Sequence, residues 1–234
     1  MSEAYLVATT KPWNIEEYMR FVASAEGQWH LVEDRRMLTR ALIEQIKPRY
    51  VFFPHWSWKV PPEVFGAAEC ILFHMTDLPF GRGGSPLQNL IASGATQTMV
   101  SAVRMTGEID AGPIYLKEPL ALDGSAGDIF RRLAGVVFEM IGRIVASHPK
   151  PLPQSGVPTY FKRRTPEQSV LPNAANARDL YDHIRMLDAD TYPRAFLDLG
   201  RWRLEFSGAE LVGEDVVARV LFHAPNKAGQ LDEQ

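Results

Sequence analysis

Apolar positions along this chain follow two rhythms. Short unbroken runs at Ala4 to Thr9, Trp29 to Val32, Tyr50 to Phe53 and Cys70 to Phe73 read as buried strands. Between them the spacing lengthens to that of a helix. Ile15 to Ala23 is predicted helical, with Asn14 as its cap and Glu16 and Glu17 near its positive end. Arg35 to Ile46 carries Leu38, Leu42 and Ile46 at four-residue spacing and reads as one helix stopped by Pro48. Pro61 to Ala68 is a shorter helix leading back to the Cys70 strand. Strand and helix in alternation predict a Rossmann-like, mostly parallel α/β sheet.

The second half is read in the same way. Leu87 to Ala92 starts a helix that Gly94 ends, Thr98 to Met105 alternates as a strand, and Ile114 to Leu116 is another. Ser125 and Asp128 form a capping box. The helix behind it runs to about Ser147, with Ile129, Leu133, Val136, Met140 and Ile144 assigned to the core. Pro149 to Pro158 holds four prolines and reads as a boundary. It suggests a main domain over 1–165 and a small C-terminal subdomain over 166–234. A helix from Arg178 to Leu187 and strands at Arg201 to Phe206 and Val216 to Phe222 make that appendage α+β. The last dozen residues are expected to fray.

Composition narrows the function classes. With 25 basic and 28 acidic residues the net charge is −3, which argues against a nucleic-acid surface spread over the protein. The single cysteine, Cys70, excludes an internal disulfide and a cysteine-rich zinc site. In its apolar strand it reads as a small buried hydrophobe. The N-terminus has no basic region of a signal peptide, and no apolar run reaches the ~18 residues of a membrane span. A cytoplasmic chain without a membrane partner is expected. No Gly-x-Gly-x-x-Gly follows the first strand, so dinucleotide binding is not supported.

Candidate chemistry gathers at strand ends. The Cys70 strand delivers His74 at its C-terminal end, followed by a loop holding Pro79, Gly81, Gly83, Gly84 and Pro86. Ligands bind at the C-terminal ends of parallel strands. A structural histidine before an ordinary loop is the other reading, and these residues alone leave both open. Phe52 to Trp58, with two tryptophans, a histidine and a serine, also follows a strand. It is either the aromatic wall of a ligand pocket or an anchor of its own loop.

His74, Thr76, Leu78, Pro79, Arg82, Gly83 and Pro86, with Asp110, Gly112 and Pro113 in the stretch Thr106 to Tyr115, resemble the folate-dependent formyltransferase family. Ile184 to Leu187 and Tyr192 to Phe196 resemble a further signature of that family. The likeness spans about residues 48 to 200, and the N-terminal part is shorter than usual, as if one strand–helix unit were missing. One key position departs: the family asparagine two residues before the histidine is Leu72 here.

The resemblance implies formyl transfer from 10-formyltetrahydrofolate to an amine. That reaction passes through a tetrahedral intermediate with an oxyanion on the formyl oxygen. It implies His74 as the stabilising and acid–base group and Asp110 as its partner, able to collect the amine's proton through water. For the folate it implies Phe53, His55, Trp58, Glu108 and Ile109. For the acceptor it implies Arg82, Gly83, Ser85, Asn89 and Arg185, with Arg82, Arg163, Arg164 or Arg185 for a diphosphate; Asp77, where the family usually has an apolar residue, either binds the acceptor amine or caps the turn. Leu72 cannot donate, and removing one oxyanion donor costs ~10²–10³ in rate. Asn89, Ser57, His55 or a backbone N–H between Gly81 and Ser85 are the candidate replacements.

The compact C-terminus resembles the amino-sugar N-formyltransferases, which implies a nucleotide-linked amino sugar as acceptor, no nucleic-acid partner and a homodimer. An amino-acid-type amine such as hydroxyornithine, a formate-releasing hydrolase, and a non-catalytic folate- or sugar-binding relative are the alternatives.

Overall fold

The computed structural model describes residues 2–190 and 192–224. Its first elements are β1 (Ala4–Ala8), α1 (Pro12–Val22), β2 (Gln28–Val32), α2 (Arg40–Ile46), β3 (Tyr50–Phe53), α3 (Pro62–Phe65) and β4 (Cys70–His74). Then come β5 (Arg82–Gly83), α4 (Pro86–Ala92), β6 (Gln97–Arg104), β7 (Ile114–Ala121), α5 (Ala126–Ser147) and β8 (Tyr160–Phe161). The chain continues through α6 (Ala177–Arg185), β9 (Ala195–Leu199), β10 (Trp202–Val212) and β11 (Asp215–His223).

The main sheet has the order β2-β1-β3-β4-β6-β7. Its first four strands are parallel, while β6 and β7 run antiparallel to their neighbours. The apolar runs read from the sequence are its buried centre. Leu6, Ala8, Val51, Phe53 and Cys70 pack with Val32, Leu38, Ile43, Val60 and Val64. Burial also pushes the Cys70 thiol up to about 12, as suits a core residue rather than a nucleophile. Strand order reverses on either side of β1, so the crevice beyond the C-terminal ends of β1 and β3 is where such a sheet takes ligands.

The chain divides into two compact units. One comprises 1–86, 97–121 and 130–161; the other comprises 87–96, 122–129 and 162–234. In the second, α6 is capped by Asn176, whose side chain accepts the Asp179 N–H at 2.9 Å. That unit also holds the antiparallel sheet β11-β10-β9.

Several local expectations change. Asn14 does not cap α1, whose cap position is Lys11. Its side chain is buried, and Nδ2 donates to Thr9 Oγ1 and to the Pro54 carbonyl, both at 3.1 Å. It therefore ties the loops at the ends of β1 and β3. Arg35 to Ile46 is two pieces. A 3-10 turn at Arg35–Met37 is started by the Asp34 carboxylate, and α2 is capped by Thr39, which accepts the Leu42 N–H at 3.2 Å. Two local caps outcompete one continuous helix here. Strand β7 runs past Leu116 through Pro119, which a sheet-edge position tolerates because the missing N–H is not needed. Strands β8 and β9 are additions. The expectation of a frayed tail falls largely on residues 225–234, outside the described residues.

The role of Asn14 separates two outcomes for Asn14→Asp. A helix cap would accept aspartate without loss. A buried donor would not, because a carboxylate then faces the Pro54 carbonyl. Chemical denaturation is expected to show a loss of about 2–3 kcal/mol.

Candidate active site

The end of β4 carries His74, whose side chain is 8% exposed. Its Nε2 lies 2.8 Å from the Gly81 carbonyl, and its Nδ1 lies 3.6 Å from Asp110 Oδ2. Both ring nitrogens thus face oxygens that only accept. A ring N–H held in such a place is suited to stabilising a developing oxyanion.

The loop between β4 and α4 is built to hold these atoms. It turns through a cis Leu78–Pro79 peptide. Ser101 Oγ, across the antiparallel pair, donates to the Thr76 carbonyl at 2.7 Å. The loop then returns as β5, which pairs in parallel with β8. Gly83 has φ +105°, and a Cβ there would sit 2.5 Å from the Phe161 carbonyl oxygen, so only glycine permits this approach. Four successive loop amides are engaged inside the protein. Gly81 N–H donates to Thr159 Oγ1 at 2.7 Å and Arg82 N–H to the Thr159 carbonyl at 2.9 Å. Gly83 N–H donates to Asp110 Oδ2 at 2.9 Å and Gly84 N–H to the Phe161 carbonyl at 3.3 Å.

Asp110 stands in left-handed backbone at φ 51°, on the loop between β6 and β7. Gly112 lets that loop close on the end of β6: a Cβ there would lie 1.8 Å from the Arg104 carbonyl. Gln154 then fastens it, donating to the carbonyls of Asp110 at 2.7 Å and Gly112 at 2.8 Å.

The structure brings some of the sequence-predicted residues together and separates others. His74, Asp110, Arg82 and Gly83 converge. Arg82 spends Nε and Nη2 on Gln154 Oε1, at 3.2 and 2.7 Å. Ser85 stands at φ 51° directly before α4. Asp77 pairs with Lys117, which also donates to the Leu78 carbonyl at 2.6 Å. Glu108 and the 73% exposed Ile109 lie at the tip of the Asp110 loop. Phe53, 1% exposed, belongs to the core and presents no face to a ligand.

The aromatic loop after β3 divides. Trp58 lies against Trp56 at 5.2 Å and under the Arg35 guanidinium at 5.7 Å. With Arg35, Arg36, Leu38, Trp56, Lys59 and Pro61 it lines a cleft of about 440 Å³. His55 turns inward at φ 51° between Trp13 and Phe130, at 5.5 and 4.6 Å between ring centres. Its Nδ1 is sealed from solvent without a hydrogen-bond partner.

In the second unit Asn89 Nδ2 donates to the Lys162 carbonyl at 3.3 Å. Arg185 corrects an expectation. Its guanidinium is buried, donating to Asp182 Oδ1 at 2.5 Å and to the carbonyls of Leu122 and Gly124 at 2.6 and 2.9 Å. Those donors hold the unit together and are not offered to a diphosphate. Gln154 and Thr159 were missed as contributors to the site, because a proline-rich stretch reads as a linker. Pairing between residues far apart in sequence was the missing signal.

Residues 166–223 match the C-terminal domain of methionyl-tRNA formyltransferase. A methionyl-tRNA formyltransferase from Moorella thermoacetica is 31% identical over 160 residues, 65% of this chain and 51% of that protein. The chain thus spans about half the length of that curated relative. A solved methionyl-tRNA formyltransferase from Clostridium thermocellum is 42% identical and superposes with a TM-score of 0.92, covering 95% of this chain and 99% of that one. A sugar N-formyltransferase from a Shewanella species shares the fold at 16% identity and a TM-score of 0.68, covering 90% and 99% of the two chains. The chain belongs to the formyltransferase family that includes methionyl-tRNA formyltransferase.

His55 makes stability depend on pH. Burial pushes its imidazole down to about 3, with nearby Lys11 adding to the effect. The folded state keeps the ring neutral, while the unfolded chain takes up a proton below its ordinary value near 6.5. The contribution is whole above that pH and is lost as pH falls toward 3, at most about 1.4 kcal/mol per pH unit. Asparagine tolerates left-handed backbone and does not titrate. His55→Asn is therefore expected to lose less unfolding free energy than wild type between pH 7 and pH 4.5, measured by urea titration.

Proposed function

We propose that this chain transfers a formyl group from 10-formyltetrahydrofolate to a primary amine. The observation that carries the reading is the convergence of His74, at a strand end, and Asp110, on a loop, to 3.6 Å in a largely buried setting. The amine nitrogen attacks the formyl carbon, and the carbonyl oxygen gains negative charge. His74 is the group that meets this charge. The amine's proton passes to the His74–Asp110 pair directly or through one water, and the pair returns a proton to the folate nitrogen as its bond to the formyl carbon breaks, releasing tetrahydrofolate.

The chain's own residues suit the donor. The faces of Trp56 and Trp58 match a flat heterocycle, and Arg35, Arg36 and Lys59 in the same cleft match a carboxylate tail. Trp58 is thus the stronger folate candidate, and Ile109 adds exposed apolar surface on the Asp110 loop.

Two acceptor classes share one chemistry, a primary amine on a carrier bearing a nucleotide and phosphate. The 42% identity to a protein named methionyl-tRNA formyltransferase, across nearly all of both chains, supports an aminoacyl-tRNA. It counts against the expectation that nucleic acid is no partner. The net charge of −3 and the compact C-terminal unit support the second reading, a nucleotide-linked amino sugar.

The test is tetrahydrofolate release from 10-formyltetrahydrofolate with methionyl-tRNA, with a panel of nucleotide-linked amino sugars, and with no amine. Amine-dependent release is expected, falling about 10²–10⁴-fold in His74→Ala and Asp110→Asn. Release that needs no amine would replace transfer by hydrolysis. No release with any acceptor would sink the reading.

A further inference from the structure

We propose that Gln154 is a positioning residue of this active site, holding the backbone of Asp110 where its carboxylate can face His74. The inference rests on the formyl-transfer reading for its kinetic consequence. The geometry stands independently.

The argument begins with the amide. Gln154 Oε1 accepts Nε and Nη2 of Arg82 at 3.2 and 2.7 Å, while its Nε2 donates to the carbonyls of Asp110 and Gly112 at 2.7 and 2.8 Å. Arginine offers donors and no acceptor; the two carbonyls accept and cannot donate. Only one of the two amide orientations satisfies all four contacts, so the side chain is locked. A single amide therefore joins the glycine loop after His74 to the loop that bears Asp110.

That joint sits where Asp110 needs it. Neighbouring strands do not hold the Asp110 peptide in register, because the residue lies between β6 and β7 at φ 51°. Left-handed backbone is open to aspartate but not preferred by it, so the conformation must be imposed from outside. Gln154 grips the Asp110 carbonyl from one side, and the Gly83 N–H takes Oδ2 from the other at 2.9 Å. What remains between the two grips is the carboxylate beside His74.

Gln154 is itself fixed by the segment that reads as a linker. Leu152 makes a two-hydrogen-bond bridge with Ile114, at 2.7 and 2.9 Å. Thr159 and Phe161 then pair with the His74 loop. The stretch from Leu152 to Phe161 is thus a wall of the catalytic centre. Neither ring nitrogen of His74 nor either carboxylate oxygen of Asp110 is touched by Gln154, so its action is through placement.

The experiment compares wild type with Gln154→Ala and Gln154→Glu. The second variant keeps the length and the Arg82 partner but turns an oxygen toward two carbonyls, and it covers the case in which the first fails to fold. Loss of placement by about an ångström predicts kcat lower by about 10²-fold, with KM for folate and acceptor within about threefold of wild type. Amide exchange read by NMR supplies a measure free of turnover. The Gly83 N–H, bonded to Asp110, is expected to lose protection in both variants and in Asp110→Ala, which removes the acceptor, while amides of β4 and β6 keep theirs. An unchanged kcat, or a Gly83 amide as protected as in wild type, would overturn the proposal. If wild type shows no transfer at all, the functional reading fails, and the Gly83 exchange alone decides whether Gln154 holds Asp110.

Discussion

The structure depends on a gap of 3.6 Å between two groups that no regular element joins. His74 is the last residue of a buried strand and inherits its rigidity. Asp110 inherits nothing from a strand. It stands on a connecting loop, and its position is the sum of close backbone approaches. Gly112 lets the loop touch the end of β6, and Gly83 lets the opposing loop touch β8. A side chain at either point would collide with a carbonyl oxygen, and that collision would separate the pair. The geometry of the pair is therefore set by where the backbone comes closest, and the two side chains occupy the space that this leaves.

This explains which parts were legible in the sequence. Strands β1 to β4 announce themselves because they are buried on both faces and read as unbroken apolar runs, which is how parallel strands look. His74 and Asp110 were legible as residue types in a familiar setting. The capping box at Ser125 was legible because its partners are three residues apart, and the side-chain bonds are there at 2.7 and 3.2 Å. Local chemistry leaves a local trace.

What stayed hidden has the opposite character. Asn14 looked like a cap because asparagine before a helical pattern usually is one. Its true partner, the Pro54 carbonyl, lies forty residues away. Arg185 looked like a diphosphate ligand because arginine often is one, yet burial beside Asp182 and two carbonyls commits it to structure. Residues 149–158 looked like a boundary because four prolines break regular structure. Prolines equally stiffen an irregular path: Leu152 bridges to β7, and Thr159 to Phe161 just beyond pair with the His74 loop. Each miss involves a contact between residues distant in the chain, which neither propensity nor periodicity records.

Leu72 bears on the chemistry most directly. It lies inside β4, paired with Phe53 on one side and Val103 on the other, and its neighbours are apolar. A polar side chain in that place would need partners of its own. The backbone of the glycine loop does not supply a substitute through Gly81 to Gly84, since those four amides already bond within the protein. His55 Nδ1 is sealed from solvent and supplies none either. In the proposed formyl transfer, these groups therefore leave more of the oxyanion to the His74 ring, and a site with fewer donors is more sensitive to the placement of each. Accurate support of Asp110 behind the ring matters the more for it.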